Sequence, residues 1–193
     1  MADIVVFHSV LGLRPAELEF AERLREAGHR VTTPDLYDGR TTPAIDEGFA
    51  LMRAVGWETI SGRALDAVRD LPAATVLVGV SMGAGVVEDV LPRRPDAAAA
   101  VLLHAVGNLP TGLRAGFPVQ VHVADPDPTT PPAQLAAWQA AATRSGADAE
   151  VFRYPGAGHF YLDAHGPEHD APAAELTRER VAEFLRRTEP GSA

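Results

Sequence analysis

A serine set among small residues is the first candidate for chemistry in this sequence. The stretch VLVGVSMGAG (76–85) carries Ser81 directly after a run of apolar residues, inside the pattern G-x-S-x-G (79–83). In open α/β sheets this pattern forms a sharp strand-to-helix turn that holds the serine hydroxyl out of the sheet. Bulky neighbours would collide with the strand and the helix, so the small residues favour such a turn. Ser81 is therefore the predicted nucleophile of an acyl-transfer reaction.

A serine hydroxyl is a weak nucleophile at neutral pH and needs an oriented base. In sites of this kind the order along the chain is serine, acid, histidine. His159 lies in the glycine-rich stretch YPGAGHF, directly after the last predicted strand, where the base is expected. His104 and His122 fall within apolar strands, which is typical of packed histidines. His159 is therefore the predicted base.

The acid that orients this base is expected after the penultimate strand, in the stretch PVQVHVADPDPTTP (118–131). Asp127 and Asp125 both fit. We favour Asp127 because it lies past the strand end, with a proline on each side to stiffen the loop. Asp125 stays open as the second candidate, its other role being that of a turn or cap residue.

Two main-chain N–H groups are predicted to bind the oxyanion that develops during acyl transfer. One belongs to Met82, at the start of the helix that follows Ser81, where the helix dipole also favours negative charge. The other belongs to Val10, in the stretch FHSVLGL (7–13) after the first strand. The predicted apolar wall of the substrate pocket consists of Tyr37, Trp57 and Phe160.

The elements that must position these groups alternate along the chain. Short, nearly continuous apolar runs are separated by stretches with helical spacing, which indicates a mostly parallel sheet with helices on both faces. About six strands fit the length, and we predict one α/β domain over residues 1–193, with a frayed C-terminus. The predicted strands are 3–8, 30–37, 74–80, 98–106, 118–124 and 149–155. The predicted helices are 14–29, 58–71, 82–94, 132–146 and 171–188, and 41–56 is compatible with one short helix.

Composition excludes several other kinds of site. The chain has 193 residues and no cysteine, which rules out disulfides, thiolate metal sites and a cysteine nucleophile. It also has no lysine, which rules out Schiff-base chemistry. The net charge of −9 argues against nucleic acid or an anionic membrane as a partner. The oligomeric state cannot be read from these features.

The N-terminal stretch MADIVVFHSV predicts a cytoplasmic protein. It has no basic segment, and its apolar run is too short for a signal peptide. No apolar stretch reaches the length needed to cross a membrane.

The motifs together resemble those of the dienelactone hydrolase family of α/β hydrolases over most of the chain. The resemblance rests on FHSVLGL, VTTPDLYDG, VGVSMGAG, VHVADPDPTTPP and YPGAGHFYLD. It implies the α/β-hydrolase fold and hydrolysis of a small carboxylic ester or lactone through an acyl-enzyme, with no cofactor and no metal. It assigns the nucleophile to Ser81, the acid to Asp127, the base to His159 and the oxyanion amides to Val10 and Met82.

Three positions depart from the family pattern. The named dienelactone hydrolases carry cysteine where this chain has Ser81, and a glutamate where it has Ser9. These changes agree with each other, because that glutamate helps to generate a thiolate, which a serine–histidine pair does not need. The family's carboxylate-binding arginine, four residues after the histidine, is replaced by Asp163. We therefore expect Asp163 near the substrate and neutral esters as better substrates than anionic lactones, unless Arg14, Arg40 or Arg63 supplies a cation.

Two other interpretations stay open at this point. A non-catalytic relative could bind a ligand or partner in the same cleft, although all three triad positions are filled. A metal site could lie in the stretch FYLDAHGPEHD, although Gly166 and Pro167 would interrupt a helix that aligns its histidines. Its candidate ligands are Asp163, His165, His169 and Asp170.

Overall fold

Six parallel strands form the central sheet of the protein, for which a computed structural model describes residues 1–188. The strand order across the sheet is β2-β1-β3-β4-β5-β6. The strands are β1 (Asp3–Phe7), β2 (Arg30–Thr32), β3 (Val76–Val80), β4 (Ala100–Leu103), β5 (Pro118–Asp125) and β6 (Asp148–Pro155). All five residues of β3 are buried, because helices cover both faces of the sheet there.

Helices cover both faces of this sheet. They are α1 (Pro15–Glu26), α2 (Ile45–Val55), α3 (Trp57–Val68), α4 (Met82–Val90), α5 (Pro132–Ser145) and α6 (Ala171–Thr188). Along β1, Ile4 and Val6 point to the layer of α1 and α6, whereas Val5 and Phe7 point to the layer of α3, α4 and α5. This alternation is the two-residue period of a strand, and it gives the protein one apolar core on each side of the sheet.

The predicted parallel sheet of about six strands with helices on both faces is confirmed, and the differences lie at the ends of elements. The stretch expected to hold one short helix contains α2 and runs directly into α3, with Gly56 at a φ of 85° between them. Strand β4 ends at Leu103, before the predicted end at 106, because His104 takes a φ of 70°. The extent of the domain over 1–193 stays a prediction, and the expected fraying concerns residues outside the described ones.

Because all six strands are parallel, the loops that follow them meet at one edge of the sheet. The loops after β1, β3, β5 and β6 carry Val10, Ser81, Asp127 and His159 respectively. Among residues 1–188, no helix has the length and apolar character that crossing a membrane requires.

The crossing of β3 and α4 gives a test of the fold. A Cβ atom at Gly79 would lie 2.3 Å from the carbonyl oxygen of Gly83, so Gly79→Ala forces main-chain atoms apart. We expect Gly79→Ala to lower the free energy of unfolding by about 1–3 kcal/mol or more. The matched control is Gly62→Ala, on the exposed side of α3 with no atom within 4 Å of the new Cβ. It should raise the free energy of unfolding by about 0.4–1 kcal/mol. Urea unfolding of both variants checks this, and equal effects would contradict it.

Candidate active site

Ser81 occupies a strained turn between β3 and α4. Its φ of 52° and ψ of −107° are rare for a residue with a side chain, and such strain costs about 1–3 kcal/mol. The turn is held by a hydrogen bond of 2.8 Å from the Ser81 N–H to the Leu103 carbonyl. Gly83 lies so close to β1 that a Cβ atom there would be 2.3 Å from the Phe7 carbonyl oxygen. The small residues beside Ser81 therefore let α4 begin directly against the sheet.

The structure brings the three predicted triad side chains together. Ser81 Oγ lies 3.0 Å from His159 Nε2, and His159 Nδ1 lies 2.7 Å from Asp127 Oδ2. With its Nδ1–H donated to Asp127, the His159 ring presents Nε2 as the acceptor for the Ser81 hydroxyl. Asp125 lies elsewhere, at the end of β5, where its carboxylate pairs with Arg153 at 2.8 Å. Of the two acids left open by the sequence, only Asp127 contacts the histidine.

The charge on Asp127 is stabilised by its neighbours. Burial by itself would raise the pKa of Asp127, but the hydrogen bond and the charge of His159, together with hydrogen bonds from Thr129, hold that pKa below its ordinary value. An ionised Asp127 keeps the imidazole in one tautomer and stabilises the imidazolium that forms when His159 accepts a proton.

Thr129 is a site residue that the sequence analysis did not single out. Its N–H and its hydroxyl both donate to Asp127 Oδ1, at 2.8 and 2.7 Å, and its Oγ1 lies 2.9 Å from His159 Nδ1. An aspartate with threonine two residues later is a common local turn, and this spacing was the available signal. Thr129 thus holds the Asp127 carboxylate in the orientation that faces the histidine.

The two predicted oxyanion residues lie on the same cleft as Ser81 and His159. Met82 is the first residue of α4, where the main-chain N–H has no acceptor within the helix. Val10 lies in the loop after β1, and α2 packs tightly against it, since a Cβ at Gly48 would be 2.8 Å from the Val10 carbonyl oxygen. Both residues thus sit on segments that close packing holds in place.

A buried glutamate fixes the loop that carries Val10. Glu17 is only 3% exposed and accepts hydrogen bonds from the Ser9 hydroxyl at 2.6 Å and from the Arg14 N–H at 3.2 Å. The loop closes on itself through a bond of 3.1 Å from the Gly12 N–H to the Ser9 carbonyl. Glu17 stands in the first turn of α1, a position typical of glutamates that bond back to the residue before the helix.

Ser81 and His159 open into a cleft of about 260 Å³. Trp57 and Phe160 are among its lining residues, and their role in binding substrate stays a prediction. The lining residues are Val10, Ile45, Phe49, Met52, Trp57, Ser81, Met82, Gly85, Ala105, Thr129, His159 and Phe160. Apart from the serine, the threonine and the histidine, these side chains are apolar, and none of the described lining residues is an arginine. The cleft suits an uncharged, apolar ligand.

The prediction that Tyr37 forms part of the pocket wall is wrong. Its side chain is fully buried, and its hydroxyl donates to the sulfur of Met82 at 3.0 Å. Its ring packs edge-on against His8, with ring centroids 4.8 Å apart. Burial raises the pKa of Tyr37 to about 12, with the charge of Arg40 opposing the shift. Tyr37 supports the wall from behind Met82.

The expectation that Asp163 faces the substrate is also wrong. Its carboxylate is buried, pairs with Arg14 at 2.8 Å and accepts a bond of 2.9 Å from the His165 N–H. It lies outside the cleft lining, as does Arg14. Arg40 and Arg63, the other cations considered, donate to main-chain carbonyls of the segment after β2. Position 163, where the family pattern has an arginine, therefore carries a negative charge that is paired with Arg14.

The candidate metal ligands of residues 160–170 point to separate partners. His165 pairs with Glu19 at 2.7 Å on the surface, and His169 Nδ1 lies 3.1 Å from the Tyr161 carbonyl. Asp170 accepts from the main chain of the first turn of α6. Within residues 1–188, no three histidine, cysteine, aspartate or glutamate side chains converge as metal ligands would.

The two strand histidines lie in the interior. His122 contacts the Tyr154 hydroxyl at 2.7 Å and the Gln120 side chain at 2.8 Å, and burial lowers its pKa to about 3. Burial likewise lowers the pKa of His104, whose ring packs 5.7 Å from that of His159. His104 thus contributes an uncharged ring beside the candidate base.

Sequence comparison gives a match over almost the whole chain. The model of the dienelactone hydrolase family matches residues 1–189. No curated protein matches the chain in sequence.

Solved structures show the same architecture. A dienelactone hydrolase-like promiscuous phosphotriesterase from metagenomic libraries is similar with a TM-score of 0.73 and 22% identity, over 96% of this chain and 86% of its own. Thermogutta terrifontis esterase 2, phosphonylated by sarin, has a TM-score of 0.69 and 16% identity, over 99% and 84%. Esterase PE8 has a TM-score of 0.68 and 18% identity, over 95% and 93%. These likenesses confirm the predicted α/β-hydrolase fold.

The choice between the two acids can be tested on Ser81 itself. A fluorophosphonate reagent that phosphonylates an activated serine should label Ser81, and Asp127→Asn should slow this labelling by up to about 10⁴-fold, because an amide does not hold His159 in the reactive tautomer. Asp125→Asn is the matched control and should label at close to the wild-type rate. Intact-protein mass against time gives both rates. Equal rates for the two variants, or the reverse order, would exclude Asp127 as the acid.

Proposed function

Because the chain belongs to the dienelactone hydrolase family, we propose that it is a serine hydrolase that cleaves small, uncharged carboxylic esters through an acyl-enzyme on Ser81. The observation that carries the proposal is the continuous set of hydrogen bonds from Ser81 through His159 to Asp127, which opens into an apolar cleft. Names of similar solved structures, an esterase and a phosphotriesterase among them, support hydrolysis of ester bonds.

Acylation follows from the positions of the three side chains. Ser81 Oγ attacks the ester carbonyl carbon while His159 Nε2 takes the hydroxyl proton, and Asp127 stabilises the imidazolium that results. The carbonyl oxygen becomes negatively charged and binds the N–H groups of Val10 and Met82. When the tetrahedral intermediate collapses, the leaving oxygen takes the proton from His159 and departs as the alcohol, and the acyl group stays on Ser81.

Deacylation uses the same groups with water in place of the alcohol. His159 Nε2 removes a proton from a water molecule, whose oxygen attacks the acyl carbon. The second tetrahedral intermediate breaks its bond to Ser81 Oγ, which recovers the proton from His159. The carboxylic acid product then dissociates, and the enzyme is restored.

The cleft supports the choice of uncharged substrates. Its described lining has no cation, and the family's arginine position is taken by Asp163, which is paired with Arg14 away from the cleft. A carboxylate on the substrate would lose hydration without gaining a charged partner, and such desolvation is costly. A cytoplasmic location and the absence of a nucleic-acid or membrane partner stay predictions of the sequence.

Removal of the nucleophile tests the proposal and separates it from the interpretation as a non-catalytic binding protein. The wild-type protein should hydrolyse 4-nitrophenyl acetate, and Ser81→Ala or His159→Ala should reduce kcat by about 10⁴–10⁶-fold. His165→Ala is the control, because that histidine lies on the surface with Glu19. Near wild-type turnover in Ser81→Ala would show that the hydrolysis occurs elsewhere.

Substrate charge gives a second test. A neutral ester should have a kcat/KM at least about tenfold higher than a carboxylate-bearing ester of similar size, since even about 1.4 kcal/mol of unfavourable transfer is tenfold. Raising the salt concentration should reduce the difference in kcat/KM between the two esters only partly. Salt screens the net charge of −9 at long range, but it does not change the cost of desolvating the carboxylate inside the cleft. A preference for the anionic ester would contradict the proposed substrate class.

A further inference from the structure

Gly85 has a different neighbour from the glycines of the Ser81 turn. A Cβ at Gly79 or Gly83 would meet main-chain oxygen at 2.3 Å, whereas a Cβ at Gly85 would meet the indole of Trp57, at 3.1 Å from Cη2 and 3.5 Å from Cζ2. Gly85 therefore makes room for the Trp57 ring on α4, one helical turn beyond Ser81. Both residues line the cleft.

The same edge of the indole that faces Gly85 also makes a hydrogen bond. Trp57 Nε1–H donates to Asp89 Oδ2 at 2.8 Å. Gly85 and Asp89 are four residues apart on α4 and so lie on one face of that helix. The ring thus packs on Gly85 and is hydrogen-bonded to Asp89, although Trp57 is 40% exposed.

The main chain also directs Trp57 toward α4. Trp57 is the first residue of α3, and it follows Gly56, whose φ of 85° makes the turn between α2 and α3. Phe49 and Met52 of α2 line the same cleft. The indole therefore forms the wall of the cleft where α2, α3 and α4 meet.

We propose that Trp57, seated on Gly85 and restrained by Asp89, is the specificity-determining residue of the cleft and sets the size of the apolar ester substituent that it accepts. Asp89 is a positioning residue that acts through the indole. The inference rests on the proposed hydrolysis of neutral esters at Ser81. It adds which residues limit the size of the substrate and in which direction each substitution shifts the chain-length preference.

The test compares 4-nitrophenyl acetate, butyrate and octanoate for a set of variants. Asp89→Ala should raise KM for butyrate by roughly two- to tenfold, the equivalent of one exposed hydrogen bond, and leave kcat on acetate unchanged. Asp89→Asn keeps an oxygen acceptor for the indole N–H and should restore the wild-type KM. Trp57→Phe keeps an aromatic ring without the N–H, so it should raise the KM for butyrate as Asp89→Ala does, and adding Asp89→Ala to it should raise that KM no further.

Two variants should shift the preference in opposite directions. Gly85→Ala pushes the indole into the cleft and should lower kcat/KM for octanoate relative to acetate by about tenfold. Trp57→Ala removes the wall and should raise that ratio by a similar factor. Equal chain-length profiles for wild type, Gly85→Ala and Trp57→Ala would overturn the inference while the proposed function stands. If wild type hydrolyses none of the three esters, the proposed function itself fails. If Trp57→Ala does not fold, Asp89→Ala, Asp89→Asn and Gly85→Ala test the inference without it.

Discussion

The close approach of α4 to the carboxyl end of β1 is the constraint on which the site depends. Gly83 rests against the Phe7 carbonyl, and Gly79 rests against Gly83, so no side chain separates the helix from the sheet. Ser81 must take a left-handed conformation to make this turn, and its hydroxyl is thereby aimed away from the strands. The same contact sets the start of α4 beside the loop after β1. The proposed nucleophile and the proposed oxyanion donors are thus positioned by one packing contact, and the strain at Ser81 is offset by the packing of the two elements.

The remaining polar groups of the site are held by short hydrogen bonds, most of them between buried side chains. Thr129 holds Asp127, Asp127 holds His159, and Glu17 holds the loop around Ser9. Asp127, His159, Ser9 and Glu17 are buried, so leaving one of them unpaired would cost more than its hydrogen bond contributes. The polar groups at the base of the cleft therefore stay in one arrangement, whereas the wall of the cleft above them consists of apolar side chains from α2 and the start of α3. In the proposed function, reactivity and substrate selection therefore depend on separate parts of the fold.

The parts of this arrangement that local sequence determines could be predicted. Strand β3 is buried on both faces, so its residues form a continuous apolar run, and the glycines after it mark the turn at Ser81. His159 follows the last strand and is thus at the reactive edge of a parallel sheet. Asp125 and Asp127 could be separated only in part, because the choice depends on which carboxylate the His159 ring reaches in three dimensions.

The parts that depend on contacts between distant residues could not be predicted. Tyr37 is turned inward by Met82 and His8, and nothing in its own neighbourhood of the sequence shows this. Trp57 was expected on the wall, but its partner Asp89 lies 32 residues away. The boundary between α2 and α3 was predicted to within about one residue, because Gly56 separates the two helical stretches in the sequence, whereas the start of α2 at Ile45 was placed only within a broad range.

The ion pair between Arg14 and Asp163 constrains how the chain could diverge. These residues are 149 positions apart in sequence, and their side chains are 18% and 6% exposed, so the two charges neutralise each other with little help from water. Arginine at position 163 alone would face Arg14 in a confined space. A lineage moving toward anionic substrates would therefore have to lose the arginine at 14 first, or exchange both residues together. The order of mutations is restricted, and the two positions are expected to vary as a pair among descendants of this protein.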